Sequence, residues 1–177
     1  MNVKLKKIFK HKELALKNKE LASMLNKDYK NKKLVIIGVM NGAFFFMRDL
    51  MKNLSIDFQF DTISCSSYFG KRKSSGKVDY SYQSKVDLCG KDILIVEDIV
   101  DTGKTAQKII AEINKFNPKS AQIATLFLRK NNKINHKLLW YGYKLKNEFI
   151  VGYGLDYNER YRQLDDVYEL TEIGNEK

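Results

Sequence analysis

Three carboxylates, Glu97, Asp98 and Asp101, fall within five consecutive positions, and Thr102-Gly103-Lys104-Thr105 follows at once. Ala106, Ile109, Ile110 and Ile113 then recur at helical spacing, so the Thr-Gly-Lys-Thr stretch opens a helix. The first turn of a helix has backbone N–H groups without partners, and these bind phosphate. Carboxylates repel phosphate. The three acids must therefore serve hydroxyls, a metal ion or a proton. Phosphate, polyol and base together are the chemistry this stretch suits. The nucleotide-binding P-loop also contains Gly-Lys-Thr, but it requires a glycine five residues before Gly103, where this chain has Asp98. A carboxylate there would face the phosphates, which excludes that motif. Asp101 or Thr102 alone could be a plain helix cap; three acids after a fully apolar strand point to function.

That strand, Ile93-Leu94-Ile95-Val96, has no polar alternation and reads as buried on both faces of a parallel sheet. Leu34-Val35-Ile36-Ile37-Gly38-Val39 reads the same way and runs into the turn Met40-Asn41-Gly42-Ala43. Before it, residues 11–27 form an amphipathic helix with Leu14, Leu21, Met24 and Leu25 on one face; after it, an apolar helix spans about 44–54, with Phe44 to Met47 as core. Residues 56–65 alternate apolar and polar in the period of a half-exposed strand. The polar, glycine-bounded stretch 66–76 is a functional loop and 77–82 its returning arm. Ala121 to Leu128 and Phe149 to Asp156 are two further strands, and residues 133–148 between them are irregular. Strands alternating with helices predict an α/β fold with an open, mostly parallel sheet flanked by helices. Ligands of such sheets bind at the carboxyl ends of the strands. Asn41, Asp98, Asp101, Arg129 and Asp156 all fall at such ends.

The chain has 177 residues, enough for about one domain, and 32 basic against 21 acidic residues leave it at +11. Such a balance suits nucleic acid, an anionic surface or phosphorylated substrates. The lysines are scattered among asparagines, as in residues 27–33, which is the pattern of a solvated surface. Cys65 and Cys89 have no metal-ligand spacing and read as free thiols of a reducing cytoplasm. No apolar run reaches the ~20 residues needed to span a bilayer, and no signal-peptide core is expected. His11 and His136 are isolated and read as surface residues.

Residues 97–105 closely resemble the phosphoribosyl pyrophosphate signature of type I phosphoribosyltransferases. Phe149 to Asp156 followed by Tyr157-Asn158-Glu159-Arg160-Tyr161-Arg162 is similar to the C-terminal signature of the hypoxanthine/guanine phosphoribosyltransferases, and Gly38 to Phe44 and Ser67-Tyr68 resemble two further motifs of that family. The resemblance covers roughly residues 11–170 in the family's motif order. It implies one type I phosphoribosyltransferase domain over residues 1–177, with a flexible catalytic loop at about 66–80 and a small hood from the N- and C-terminal segments.

It also implies a set of roles. Glu97 and Asp98 would bind the ribose hydroxyls, and Asp101, Thr102, Gly103, Lys104 and Thr105 the 5-phosphate. Asp101 would be the catalytic acid–base at N7 of the purine. Met40, Asn41 and Gly42 form the pyrophosphate loop, with a cis bond between Met40 and Asn41, and Arg162 contacts pyrophosphate. Phe149 stacks on the purine, the backbone of Ile150 reads its edge, Asp156 lies in the same pocket, and Ser67 and Tyr68 close over the reactants. Mg²⁺ is the implied cofactor, held by Asp156, Glu97 and Asp98 with pyrophosphate. Where the family usually has a lysine for the purine O6, the chain has Arg129 followed by Lys130, and either cation could donate. The implied substrates are phosphoribosyl pyrophosphate and a 6-oxopurine; the implied assembly is a homodimer or homotetramer in the cytoplasm, without membrane or nucleic-acid partners. A regulator of the same fold, binding RNA or nucleotides through its basic surface, is the rival reading. A pure binder needs no acid–base at Asp101.

Overall fold

Ile93 to Val96 are completely buried, and the strand they belong to, β4 (Asp92–Val100), runs through the middle of a five-stranded sheet. The computed structural model describes residues 2–64, 82–134 and 139–173. β2 (Leu34–Met40) pairs with β4 on one side and with the edge strand β3 (Phe58–Ser64) on the other. β5 (Ser120–Arg129) pairs with the far side of β4, and β6 (Leu139–Leu145) closes that edge. All four pairings are parallel, which places the carboxyl ends of β2, β4 and β5 side by side. The all-apolar runs follow from this layering, since a parallel sheet is covered on both faces.

On one face, α1 (His11–Asp28) contributes Leu14, Leu21, Ala22 and Leu25, and α2 (Phe44–Lys52) contributes Phe46, Met47 and Leu50, packed over Leu94 and Val96. On the other face, Ala106, Ile109 and Ile113 of α3 (Lys104–Asn114) cover Ile93 and Ile95. Removing a buried Leu or Ile side chain from such a layer costs roughly 2–5 kcal/mol, so either face alone can decide stability. A second, three-stranded antiparallel sheet joins the two ends of the chain: β1 (Asn2–Phe9) pairs with β8 (Val167–Ile173), which pairs with the short β7 (Ile150–Val151). Ile150, Tyr153, Leu155 and Val167 pack into the same core as α1 and α2, so this small sheet leans over the carboxyl end of the large one.

Several local expectations change. Residues 139–145 form the strand β6, not an irregular segment; the aromatic side chains Trp140 and Tyr143 suit a strand, but Gly142 and Lys144 interrupt its alternation. Phe149 to Asp156 is not one long strand: only Ile150–Val151 is extended, and the chain then turns through Gly152, Tyr153 and Gly154, all at positive φ. On α1, Met24 is exposed, and the buried stripe includes Asn18, whose amide donates to the Leu14 carbonyl and the Tyr153 hydroxyl at 3.0 Å each. Phe44 is exposed rather than core. The loop 66–76, with Ser67 and Tyr68, and His136 lie outside the described residues.

The chain re-enters the described structure at Tyr82, and one carboxylate secures it there. Asp61 on β3 is buried and accepts hydrogen bonds from the Tyr82 hydroxyl (2.9 Å), the Ser84 hydroxyl (3.2 Å), and the backbone N–H groups of Lys85 (2.9 Å) and Thr62 (2.8 Å). Burial by itself would raise the pKa of this carboxyl, but the four donors outweigh it and hold the group below its ordinary value. A carboxylate depressed in the folded state stabilises the fold above its unfolded pKa, and that contribution is lost as pH falls through the folded value. Asp61→Ala is expected to lower unfolding free energy by about 2–4 kcal/mol at neutral pH, because it strands several buried donors. The deficit relative to wild type should shrink as pH falls below about 4, where the unfolded chain takes up a proton at this carboxyl before the folded protein does. Urea titrations across that range measure it; a deficit independent of pH would refute the assignment.

Candidate active site

Four turns meet at the carboxyl end of the large sheet. β4 carries the first two acids. Glu97 pairs in register with Thr125 of β5, is only 7% exposed, and its Oε2 has no hydrogen-bond partner among the described residues. Burial, and then the neighbouring charge of Asp98, push its pKa up to about 8. Burial also pushes Asp98 up to about 6, against the pull of backbone N–H groups and of Arg162; Asp156 adds like-charge repulsion. Two adjacent carboxyls whose burial outweighs the pull of Arg162 are costly to ionise and well suited to a ligand that brings hydroxyls or positive charge.

The turn after β2 lies against Asp98. Its Met40–Asn41 peptide bond is cis, as the family resemblance implied. A β-carbon on Gly42 would sit 2.1 Å from Asp98 Oδ2, so only glycine lets the turn approach the acid. The same turn touches the C-terminal one: a β-carbon on Gly154 would lie 2.2 Å from the Gly42 carbonyl oxygen. The turn after β2 and the turn that leads into Asp156 are thus in contact.

The turn after β4 supplies Asp101 to Thr105. Gly103 occupies the N-cap of α3 with φ 80°, and the Thr102 hydroxyl accepts a 3.4 Å bond from the Lys104 N–H. Asp101, Thr102 and Lys104 are exposed, so the start of α3 is open to a ligand. Lys133 N–H donates to the Thr102 carbonyl (3.2 Å), and the Gln107 side chain donates to the Lys133 carbonyl (3.0 Å), which fixes the turn from the outside.

The remaining candidate residues come from β5 and the small sheet. Arg129 ends β5 and is only 18% exposed; its Nε lies 3.2 Å from Asp101 Oδ1. Its Nη1 and Nη2 donate to the carbonyls of Lys146 (3.1 Å) and Glu148 (2.9 Å). Lys130 is exposed, and only its backbone N–H is engaged, on the Leu145 carbonyl. Phe149 is 47% exposed and meets Tyr157 edge-to-face at 5.7 Å. Leu170 N–H donates to the Phe149 carbonyl, which makes Phe149 and Leu170 a bonded pair of the antiparallel ladder. The next residue, Ile150, must then turn its N–H and C=O away from β8, onto the free edge of β7.

Asp156 and Arg162 are joined at 2.8 Å, and Arg162 also donates to the Gly154 carbonyl (2.8 Å) and pairs with Glu159 (2.9 Å). Glu159 was not singled out from the sequence. Its N–H donates to Asp156 Oδ2 at 3.0 Å, so it orients both partners. It sits with Asn158 in a two-residue turn with φ 52° and 58°, closed by reciprocal bonds between Tyr157 and Arg160. Asn158 is the usual residue for that turn; Glu159 is an uncommon one, and that is the signal that sequence reading could have used. Of the expected site residues, only Ser67 and Tyr68 lie outside the described residues; Lys130 is exposed, with its backbone N–H on the Leu145 carbonyl.

A family model described as phosphoribosyl transferase domain matches residues 4–158. Hypoxanthine-guanine phosphoribosyltransferases of Dictyostelium discoideum and Streptococcus mutans are 36% and 38% identical to the chain, covering 93% and 97% of it and 94% and 95% of their own lengths. Among solved structures, a hypoxanthine-guanine phosphoribosyltransferase from Bacillus anthracis superposes with a TM-score of 0.83 at 31% identity, over 96% of this chain and 100% of that one. A hypoxanthine phosphoribosyltransferase from Staphylococcus aureus gives 0.83 at 35% identity, over 94% and 91%. The chain therefore belongs to the phosphoribosyltransferase family, in the branch of the hypoxanthine-guanine enzymes.

Proposed function

We propose that the protein salvages purines, transferring the phosphoribosyl group of phosphoribosyl pyrophosphate to N9 of hypoxanthine or guanine. The products are IMP or GMP and pyrophosphate. The observation that carries this reading is the pairing of an open helix start with two desolvated carboxyls at the end of the strand that precedes it, Glu97 and Asp98. The N–H groups at the start of α3, with Thr102 and Thr105, suit the 5-phosphate. Glu97 and Asp98 suit the ribose hydroxyls: a hydroxyl donated to the unpartnered Glu97 Oε2 would replace the water lost on burial. Met40 to Gly42 and Arg162 suit pyrophosphate, which leaves as N9 attacks the anomeric carbon. Phe149 offers a face for the purine to stack on, and Ile150 offers an unused N–H and C=O to its edge. Arg129, with two N–H bonds uncommitted, is the better donor to O6 than Lys130. Asp101, at the mouth of the same pocket, takes the role of acid–base at N7 as charge develops on the ring.

Magnesium fits the residues present. Glu97 is buried and Asp98 half-buried, neither has a cation at ion-pairing distance among the described residues, and Asp156 stands close enough to raise Asp98 further. Among the described residues no three acidic, histidine or cysteine ligands form a complete cage, which suits a cation that keeps substrate oxygens and water in its shell. When bound, Mg²⁺ supplies charge neutralisation for the departing pyrophosphate. The proposal includes a cytoplasmic location, because phosphoribosyl pyrophosphate is too highly charged to cross a bilayer. It includes a homodimer or homotetramer as well, which the exposed side chains Phe44 and Phe60 favour.

The test is an assay of hypoxanthine, guanine, xanthine and adenine with phosphoribosyl pyrophosphate. Turnover of hypoxanthine or guanine that disappears with chelator and returns with excess Mg²⁺ is expected; no turnover of any base would end the proposal. Asp101→Asn is expected to lower kcat by about 10²-fold or more while nucleotide still binds. Wild-type kcat in that variant would remove Asp101 from the mechanism. Light scattering should give two or four times the mass of 20.6 kDa, and a monomer would rule out the assembly.

A further inference from the structure

Arg129 replaces the lysine usual in the family, and its guanidinium does what an ammonium at the end of a flexible stem cannot. In one planar fork it reaches the Asp101 carboxylate through Nε and the carbonyls of Lys146 and Glu148 through Nη1 and Nη2. The two carbonyls belong to the connection between β6 and β7, immediately before Phe149. That connection is tightened from inside by a 2.8 Å bond from the Lys146 N–H to the Glu148 carboxylate. Arg129 itself is held by its place in the sheet, paired in register with Leu145. Asp101 is different: it is 66% exposed, follows the end of β4, and Arg129 is the cation within ion-pairing distance. The side chain proposed to move the proton thus gets its orientation from the side chain that borders the base.

We propose that Arg129 is a positioning residue that clamps the base-binding segment 145–149 to the Asp101 turn, so that Asp101 is aimed correctly only while this clamp is made. The inference rests on the enzymatic reading above. With both Nη groups held by carbonyls the guanidinium is fixed in place, and its charge, with Nε 3.2 Å from Asp101 Oδ1, draws the Asp101 carboxylate to one side of the turn. A base that docks against Phe149 then meets an acid–base already in place rather than one free to swing into solvent. Lysine, with one ammonium, could hold either Asp101 or one carbonyl at a time, so Arg129→Lys is not a silent exchange.

Two variants and two kinds of readout decide it. Arg129→Gln, which cannot pair with Asp101, is expected to lower kcat about tenfold or more while the KM for phosphoribosyl pyrophosphate stays within about twofold. If Arg129 acts through Asp101, Arg129→Gln made on top of Asp101→Asn should change kcat by no more than about twofold, because residues acting as a unit are not additive. Arg129→Lys should recover part of the loss. Losses that multiply in the double variant, or an Arg129→Gln enzyme with wild-type kcat, would overturn the proposal. Amide hydrogen exchange of the free protein gives a readout independent of turnover: Lys146 to Phe149 should exchange faster in Arg129→Gln than in wild type, with the sheet core unchanged. Unchanged exchange in that segment would also overturn the clamp. A wild-type protein that turns over no purine would refute the enzymatic reading instead, and the exchange comparison would still judge the clamp.

Discussion

The site depends first on the parallel pairing of β4 between β2 and β5. That pairing removes water from both faces of the strand, and Glu97, still inside it, loses water with its apolar neighbours. A carboxyl on a loop would stay solvated and ionised at neutral pH, indifferent to what came near. Held in the strand, Glu97 and Asp98 are raised to about 8 and 6, so a ligand offering hydroxyl donors or a cation gains more here than at the surface. The same pairing sets the end of β4 level with the ends of β2 and β5, so that Gly42 can reach Asp98 and Arg129 can reach Asp101. Shifting either register by one residue would break both contacts and turn every side chain of the strand to the opposite face.

The small antiparallel sheet contributes something a parallel sheet cannot. A parallel strand inside a sheet spends its backbone on both neighbours, whereas β7 is a short edge strand with one neighbour, β8. Its outer side is free. Unpaired edges invite misassociation, and natural proteins keep them very short. Two residues is short enough to be safe and long enough to present the N–H and C=O of Ile150 beside Phe149. The turn through Gly152 to Gly154 then returns the chain toward the Gly42 turn, which is why Phe149 and Ile150 lie within a few positions of a residue in contact with that turn.

The central sheet and the phosphate turn were legible in the sequence because each rests on local chemistry: an unbroken apolar run, an acidic pair, a glycine at a helix start. The family's motif order carried the reading from fold to substrate. The family resemblance implied a small hood from the two ends of the chain, but the strands that build it were not legible. β1 reads Asn-Val-Lys-Leu-Lys-Lys-Ile-Phe, and its partner β8 lies at the other end of the chain, so no local pattern announces the pair. Phe149 to Asp156 looked like one strand because apolar residues alternate with glycines there; the glycines are in fact turn positions with φ 95° and 99°. Asp61 escaped notice for a similar reason: in an alternating strand it occupies what looks like the wet face, and only the returning segment at Tyr82 to Lys85 buries it.

Charge pairing across the cleft shows how one site can be both stable when empty and ready to bind phosphates. Two of its aspartates are each joined to an arginine, Asp101 to Arg129 and Asp156 to Arg162. Each arginine is also bonded to backbone carbonyls, Arg129 to those of Lys146 and Glu148 and Arg162 to that of Gly154. The carbonyl bonds keep each guanidinium in place whether or not its carboxylate is engaged. The ion pairs themselves are cheap to exchange, since a partly exposed pair contributes only about 0–1 kcal/mol. A phosphorylated substrate arriving with a divalent cation can therefore take over Arg162 while the cation takes over Asp156, leaving Arg129 on Asp101. Glu97 and Asp98 have no arginine at ion-pairing distance among the described residues, and this asymmetry gives the end of β4 most to gain from a ligand.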